Sequence, residues 1–258
     1  MVYKDIAAII LAAGESRRMG QSKLTLPWGE TTVLGQVVAT FAAAGIEDIL
    51  VVTGGEREGV EAEISRLEAD FPVRAIFNAG YATGGMLSSL QRGLADLSLP
   101  LPVPPLLSPA PLSSPHSRPF ASCFFYAKLG ENGETEGGKG RVAEGRVGMS
   151  EVRPERRATL ITLGDQPQVQ ESLVQRICAA FTKTGKHLIV PSFQMRRGHP
   201  WLAARPLWPE ILALPANQTP RDFINAHSED ILYLPVETDS ILLDVDTPED
   251  HERLKPRT

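Results

Sequence analysis

The sequence predicts an α/β fold, a Rossmann-like three-layer α/β/α arrangement around a mostly parallel central sheet. Three observations predict it. Ile6 to Leu11 is an unbroken apolar run, the pattern of a strand covered on both faces. Apolar runs of this kind then alternate with segments of helical spacing, and glycines stand where strand gives way to helix.

After the first run, Thr31 to Ala44 has helical spacing with Gly45 as a stop, and Ile49 to Thr53 is the next strand. Arg57 to Ala69 reads as a helix, Val73 to Phe77 as a strand, and Met86 to Leu97 as a helix entered through Gly84 and Gly85. The alternation then breaks, because Ser98 to Phe120 carries eight prolines among serines and leucines, which suits neither a helix interior nor a central strand. Gly130 to Gly148 is rich in glycine, glutamate and arginine. The expectation is one domain over 1–258, interrupted by a flexible Pro/Ser/Gly-rich insertion at about 98–157. Regular structure resumes with a strand at Ala158 to Leu163, a helix at Glu171 to Phe181 and a strand at His187 to Pro191. A turn at Arg196 to Pro200, short helices near Leu207 to Leu214 and Arg221 to Ala226, strands near Ile231 to Leu234 and Ile241 to Val245, and a helix from Pro248 complete the reading.

A chain of 258 residues with 42% hydrophobic and 22% charged residues buries a full core, and its net charge of -5 gives no electrostatic reason to expect nucleic acid. Small molecules are the better default. Cys123 and Cys178 are far apart and outside any CxxC, so neither a disulfide framework nor a zinc site follows, and a reducing, cytoplasmic setting is the simpler expectation. The run from Ile6 to Ala13 is too short to span a bilayer, so no membrane partner is expected.

Ligands of open parallel sheets gather beyond the carboxyl ends of the strands. After the first strand comes Ala12-Ala13-Gly14-Glu15-Ser16-Arg17-Arg18-Met19-Gly20-Gln21-Ser22-Lys23, small residues followed by three cations. Backbone N–H groups in such a loop approach phosphate oxygens closely, while its arginines and lysine offset charge on a departing pyrophosphate. In isolation a glycine-arginine loop is more often a solvated surface turn; its position after the first strand argues for function. Its spacing matches neither Walker A nor GxGxxG, which weakens a kinase or dehydrogenase reading. Asp165 follows another strand and lies at the same edge. Magnesium binds through one or two carboxylates plus substrate phosphates, and Asp244 and Asp246 are candidate second acids, with Asp244 favoured. Asp246 and Thr247 also suit the cap of a helix that starts at Pro248.

LAAGESRRMGQSK (Leu11 to Lys23), NAGYATGGMLSSLQRGL (Asn78 to Leu94), LGDQP (Leu163 to Pro167), RRGHP (Arg196 to Pro200) and LLDVDTPED (Leu242 to Asp250) occur in one order. Together they resemble the molybdenum cofactor cytidylyltransferase group, within the nucleotidyltransferases of glycosyltransferase-A-like fold. The likeness covers nearly all the chain except about 98–157. It implies that the terminal phosphate of molybdopterin attacks the α-phosphorus of CTP, with no enzyme nucleophile. On that resemblance Ala12, Ala13 and Gly14 lie against the nucleotide, Arg18 and Lys23 hold phosphates, and Ser88 and Ser89 help place base or ribose, with Gly84 and Gly85 making close approach possible. Asp165 and Asp244 hold Mg2+, with Asp246 as the alternative, and Arg197 and His199 belong to an acceptor-side loop. His199 is not expected to be a base, since the acceptor phosphate is already ionised. Expected partners are an NTP, a phosphorylated small acceptor and a molybdenum hydroxylase that receives the product. A sister transferase using GTP or another acceptor, and a non-catalytic cofactor-delivery protein, are the competing expectations.

Overall fold

Strand β1 (Ile6–Ala12) is buried along its whole length because its alternate residues feed two separate cores. The computed structural model describes residues 2–16, 19–99 and 155–256. Ile6, Ala8 and Ile10 enter one hydrophobic cluster, closed by helices α1 (Val33–Ala43), α2 (Arg57–Leu67) and α4 (Glu171–Thr184). Ala7, Ile9 and Leu11 enter the other, closed by α3 (Tyr81–Ser98), α5 (Trp208–Ala213) and α6 (Pro220–Ala226). These are the outer layers of the expected three-layer arrangement. A seventh helix, α7 (Pro248–Leu254), begins at the capping box of Thr247 and Asp250, so Asp246 is not its cap.

The sheet joins β1 to β4 (Ile49–Thr53), β5 (Val73–Phe77), β6 (Ala158–Leu163), β7 (Leu188–Phe193), β9 (Trp201–Ala204) and β10 (Ile231–Pro235). Their spatial order is β10-β7-β9-β6-β1-β4-β5, with the two-residue β8 (Arg196–Arg197) added to β7. A separate hairpin pairs β2 (Pro27–Trp28) with β3 (Thr31–Thr32). The chain leaves β1 towards β4 and β5 and later returns to its other side as β6, which makes the β1/β6 boundary a topological switch point. Register sets Leu11 beside Leu163, so the loops after these two strands emerge together.

Two elements differ from expectation. Trp201–Ala204, which has no strand signal beyond four apolar residues, is an antiparallel strand inside the sheet, paired to β6 and β7. Ile241–Val245 is not a strand: Asp239–Leu242 is a 3-10 turn, and irregular chain follows. Its apolar character reflects packing, since Ile241 and Val245 are fully buried. Its backbone bonds go to separate loops, from His199 N to Ile241 O (3.2 Å) and from Val245 N to Asp165 O (2.9 Å).

Residues 100–154, most of the expected insertion together with Cys123, lie outside the described residues. The chain ends flanking them meet at the base of the sheet. Buried Arg156 donates to the Leu97 carbonyl (3.4 Å) and ion-pairs with Asp48, immediately before β6 begins. Among the described residues no helix is long and apolar enough to cross a membrane.

Candidate active site

At the carboxyl edge of the sheet, the loop after β1 closes a cleft of about 300 Å³ that includes the switch point. Ala12, Ala13, Gly14, Lys23, Gly85, Ser89 and Asp165 line it, as do Tyr81 and Met86 at the entry of α3. Met86 is 45% exposed, so an apolar side chain stands at the mouth of this cleft. Arg17 and Arg18 lie outside the described residues.

The first loop is held by its neighbours. Glu56, at the start of α2, accepts from Ser16 N (2.8 Å) and Ser16 Oγ (2.9 Å), and Ser16 Oγ accepts from Lys23 N (3.0 Å). Gly54 makes the approach possible: a β-carbon there would come within 2.5 Å of the Ala13 carbonyl oxygen. Gly55 N donates to that same oxygen (3.1 Å).

Lys23 then reaches across the switch point. Its Nζ donates to Asp165 Oδ2 and to Asp246 Oδ1, the latter at 2.7 Å. Burial works against this ammonium, but Asp165 and Asp246 outweigh it and hold its pKa above the usual lysine value. Asp244 sits on the other side of buried Val245 and accepts from Gln166 Nε2 (2.6 Å). Burial, followed by the neighbouring Asp165 carboxylate, raises its pKa. Asp165 Oδ1 is buried without a hydrogen-bond partner, an arrangement that is costly for a carboxylate oxygen. All three expected acids thus lie around one edge, with Asp165 and Asp246 joined through Lys23.

Ser88 and Ser89 are organised by Asn78, which follows β5. Its Nδ2 donates to both hydroxyls at 3.0 Å and its Oδ1 accepts from Gly80 N (3.0 Å). Gly85, with φ 55° and ψ −152°, breaks α3 there, so the regular helix begins at Met86, as Gly84-Gly85 led us to expect. Ser89 lines the cleft, whereas Ser88 turns back to the Gly85 carbonyl (3.0 Å). Asn78 and Glu56 were not singled out in the sequence, although both stand just after apolar strands. The positional rule that found Asp165 applies equally to them.

The loop of residues 196–200, which the resemblance assigns to the acceptor side, is at the same sheet edge, beyond β7. Arg197 donates to Asn225 Oδ1 (2.6 Å) and, through Nη2, to Tyr233 Oη (2.6 Å), so its guanidinium braces β8 against α6 and β10. Neither Arg197 nor His199 lines the cleft of the first loop. Burial pushes the His199 imidazole down to about 4, which leaves it neutral at pH 7. Gly198 permits the turn, because a β-carbon there would fall 2.4 Å from the Ile241 carbonyl oxygen.

Among the described residues no three His, Cys, Asp or Glu side chains form a self-sufficient metal site. The partnerless oxygen of Asp165, and the burial and neighbouring Asp165 carboxylate that raise the Asp244 pKa, fit a divalent cation completed by substrate phosphates.

A mostly parallel sheet with a small-residue loop, a lysine and acidic residues at its switch point defines a protein of the nucleotidyltransferase class. Residues 8–231 match the MobA-like NTP transferase domain, and the chain belongs to that family. Over 116 residues it is 30% identical to the bifunctional protein GlmU of Sinorhizobium fredii, matching 43% of this chain and 25% of that protein. The chain therefore spans about a quarter of the length of the curated relatives it matches. Among solved structures, Rv0371c of Mycobacterium tuberculosis is similar over 97% of both chains, with a TM-score of 0.64 and 22% identity. That protein has also been solved in complex with manganese. Molybdopterin-guanine dinucleotide biosynthesis protein A of Archaeoglobus fulgidus is similar over 97% of this chain and 96% of its own, with a TM-score of 0.55 and 12% identity. At these identities the structural likeness speaks for the fold.

Proposed function

We propose that the protein transfers CMP from CTP to the terminal phosphate of molybdenum-loaded molybdopterin, giving the cytosine dinucleotide and pyrophosphate. The observation that carries nucleotidyl transfer is the convergence of Lys23 with Asp165 and Asp246 beside the Ala12–Gly14 loop. The LAAG start and the RRGHP segment support the cytidyl choice through their resemblance to that group.

In this reaction an acceptor phosphate oxygen forms a bond to the α-phosphorus while the bond from that phosphorus to the β-phosphate oxygen breaks. The acceptor is already an anion, so no general base is needed, and neutral His199 is consistent with a binding role. Lys23 counters charge on the triphosphate, and Ser89, aligned by Asn78, positions the nucleoside. Asp165, with Asp244 or Asp246, would hold Mg2+, which when bound supplies charge neutralisation for the phosphates. The NTP and acceptor are cytoplasmic metabolites, and a molybdenum hydroxylase is the natural recipient of the product.

The test is pyrophosphate release from each of the four NTPs with magnesium, with and without molybdenum-loaded molybdopterin. Acceptor-dependent release with CTP alone is expected. Release with GTP alone would move the protein to the guanylyl reaction, and no release with any NTP would refute the transferase reading for this acceptor. Asp165→Asn is expected to lower turnover by at least about 100-fold while the fold persists, because it removes charge at the reacting phosphates rather than packing.

A further inference from the structure

The Lys23 ammonium occupies oxygens of Asp165 and Asp246, two of the acids expected to hold a divalent cation. The ammonium is bonded to Asp165 and Asp246 together, and its side chain is only 17% exposed, against 14% for Asp165 and 41% for Asp246. It is not a surface lysine that drifts into contact: its backbone is fixed through Ser16 and Glu56, which anchors the base of its side chain opposite the two acids. The loop that faces phosphate and the lysine that closes it are thus both matched by internal carboxylates.

We propose that Lys23 acts as a place-holding cation, so that the divalent ion enters this site productively only with the nucleoside triphosphate. The inference rests on the nucleotidyl-transfer reading above. Triphosphate oxygens and the two carboxylates are rival acceptors for one ammonium. When the triphosphate draws Lys23 to itself, the ammonium leaves the oxygens of Asp165 and Asp246 and the divalent ion takes its place there. With no triphosphate present, the ion must displace an ammonium already held by two acids in a partly desolvated setting, and its affinity falls accordingly. Asp165 Oδ1 has no hydrogen-bond partner while Lys23 holds Oδ2, so the carboxylate has a second oxygen to offer the incoming ion. Thermodynamic linkage requires the effect to be mutual, with metal strengthening triphosphate binding by the same factor.

The experiment measures Mn2+ binding by electron paramagnetic resonance, on full-length wild type, Lys23→Met and Lys23→Gln, with and without CTP and without acceptor. Wild type is expected to bind Mn2+ at least about tenfold more tightly with CTP than without. Both variants, checked for fold by circular dichroism, are expected to bind Mn2+ without CTP at least about tenfold more tightly than wild type and to lose most of the CTP dependence. Equal or weaker Mn2+ binding in the folded variants would overturn the proposal. If neither variant folds, wild type and Lys23→Arg still decide: tight single-site Mn2+ binding by wild type without CTP overturns it, and weak CTP-free binding that Lys23→Arg leaves unchanged supports it, since a CTP requirement alone also arises from chelation of Mn2+ by CTP. Pyrophosphate release by wild type is read separately. Tight Mn2+ binding with normal release removes the place-holder and keeps the transferase, whereas CTP-coupled Mn2+ binding with no release under any acceptor removes the transferase reading alone.

Discussion

Deleting Leu101–Val152 and joining Pro100 to Arg153 through a few Gly and Ser residues tests whether the insertion belongs to the catalytic unit. The flanking ends already meet, since Arg156 is buried against Asp48 and donates to the Leu97 carbonyl. Shortening a connection of roughly fifty residues to about six removes three doublings of loop length, worth ~0.6 kcal/mol each, or about 2 kcal/mol of stabilisation. For a domain of this size that is a rise in Tm of about 4–8 °C. The junction precedes β6 in sequence, and the six residues of that strand span about 20 Å at 3.3 Å per residue before the Asp165 turn. Thermal unfolding followed by circular dichroism, together with kcat/KM for pyrophosphate release, is the assay, and kcat/KM is expected within about threefold of wild type. A native-like fold with a loss of tenfold or more in kcat/KM would refute the reasoning, and a fall in Tm would show that the insertion contributes packing.

Three further outcomes follow from the site. Asp244→Asn is expected to raise Tm in EDTA at pH 7.5 but not at about pH 2.5, where the acid is protonated in both states. The sign follows from the raised folded pKa of Asp244, which makes stability greatest below the unfolded value and lost as pH climbs through the folded one. His199 has the opposite dependence: its pKa is lowered to about 4, so its contribution is present above about 6.5 and is lost as pH falls towards 4. A pH series of melts on His199→Gln should be flatter over that window than wild type. Gly54→Ala places a β-carbon 2.5 Å from the Ala13 carbonyl oxygen, which is backbone and cannot swing aside. A loss of about 1–3 kcal/mol in urea unfolding and a higher KM for the NTP are expected.

Most of the sheet was legible because β1, β4 and β6 are buried on both faces and therefore read as unbroken apolar runs. β9 was not, since four residues after a proline carry no periodicity, and its strand character comes from the two neighbours that flank it. Ile241–Val245 misled for the converse reason, being as apolar as a strand while its backbone serves two loops. In the site, Lys23 and Asp165 were found by position after a strand. The tie between Lys23 and Asp246 spans 223 residues of sequence, and that between Ser16 and Glu56 spans 40; such pairings exist only once the strands are set side by side.

The reversed strand β9 also bears on how the protein is made. Until Trp201–Ala204 has been synthesised, β6 presents a row of unpaired backbone groups on an otherwise finished half-sheet, flanked by fully buried apolar residues. A nascent chain stopped shortly before residue 201 therefore carries an open, sticky edge suited to pairing with another copy. Insertion of β9 is a zipping event in which a short segment joins β7 to the half-sheet already formed by β6, β1, β4 and β5, and it removes that open edge before β10 is added outside β7.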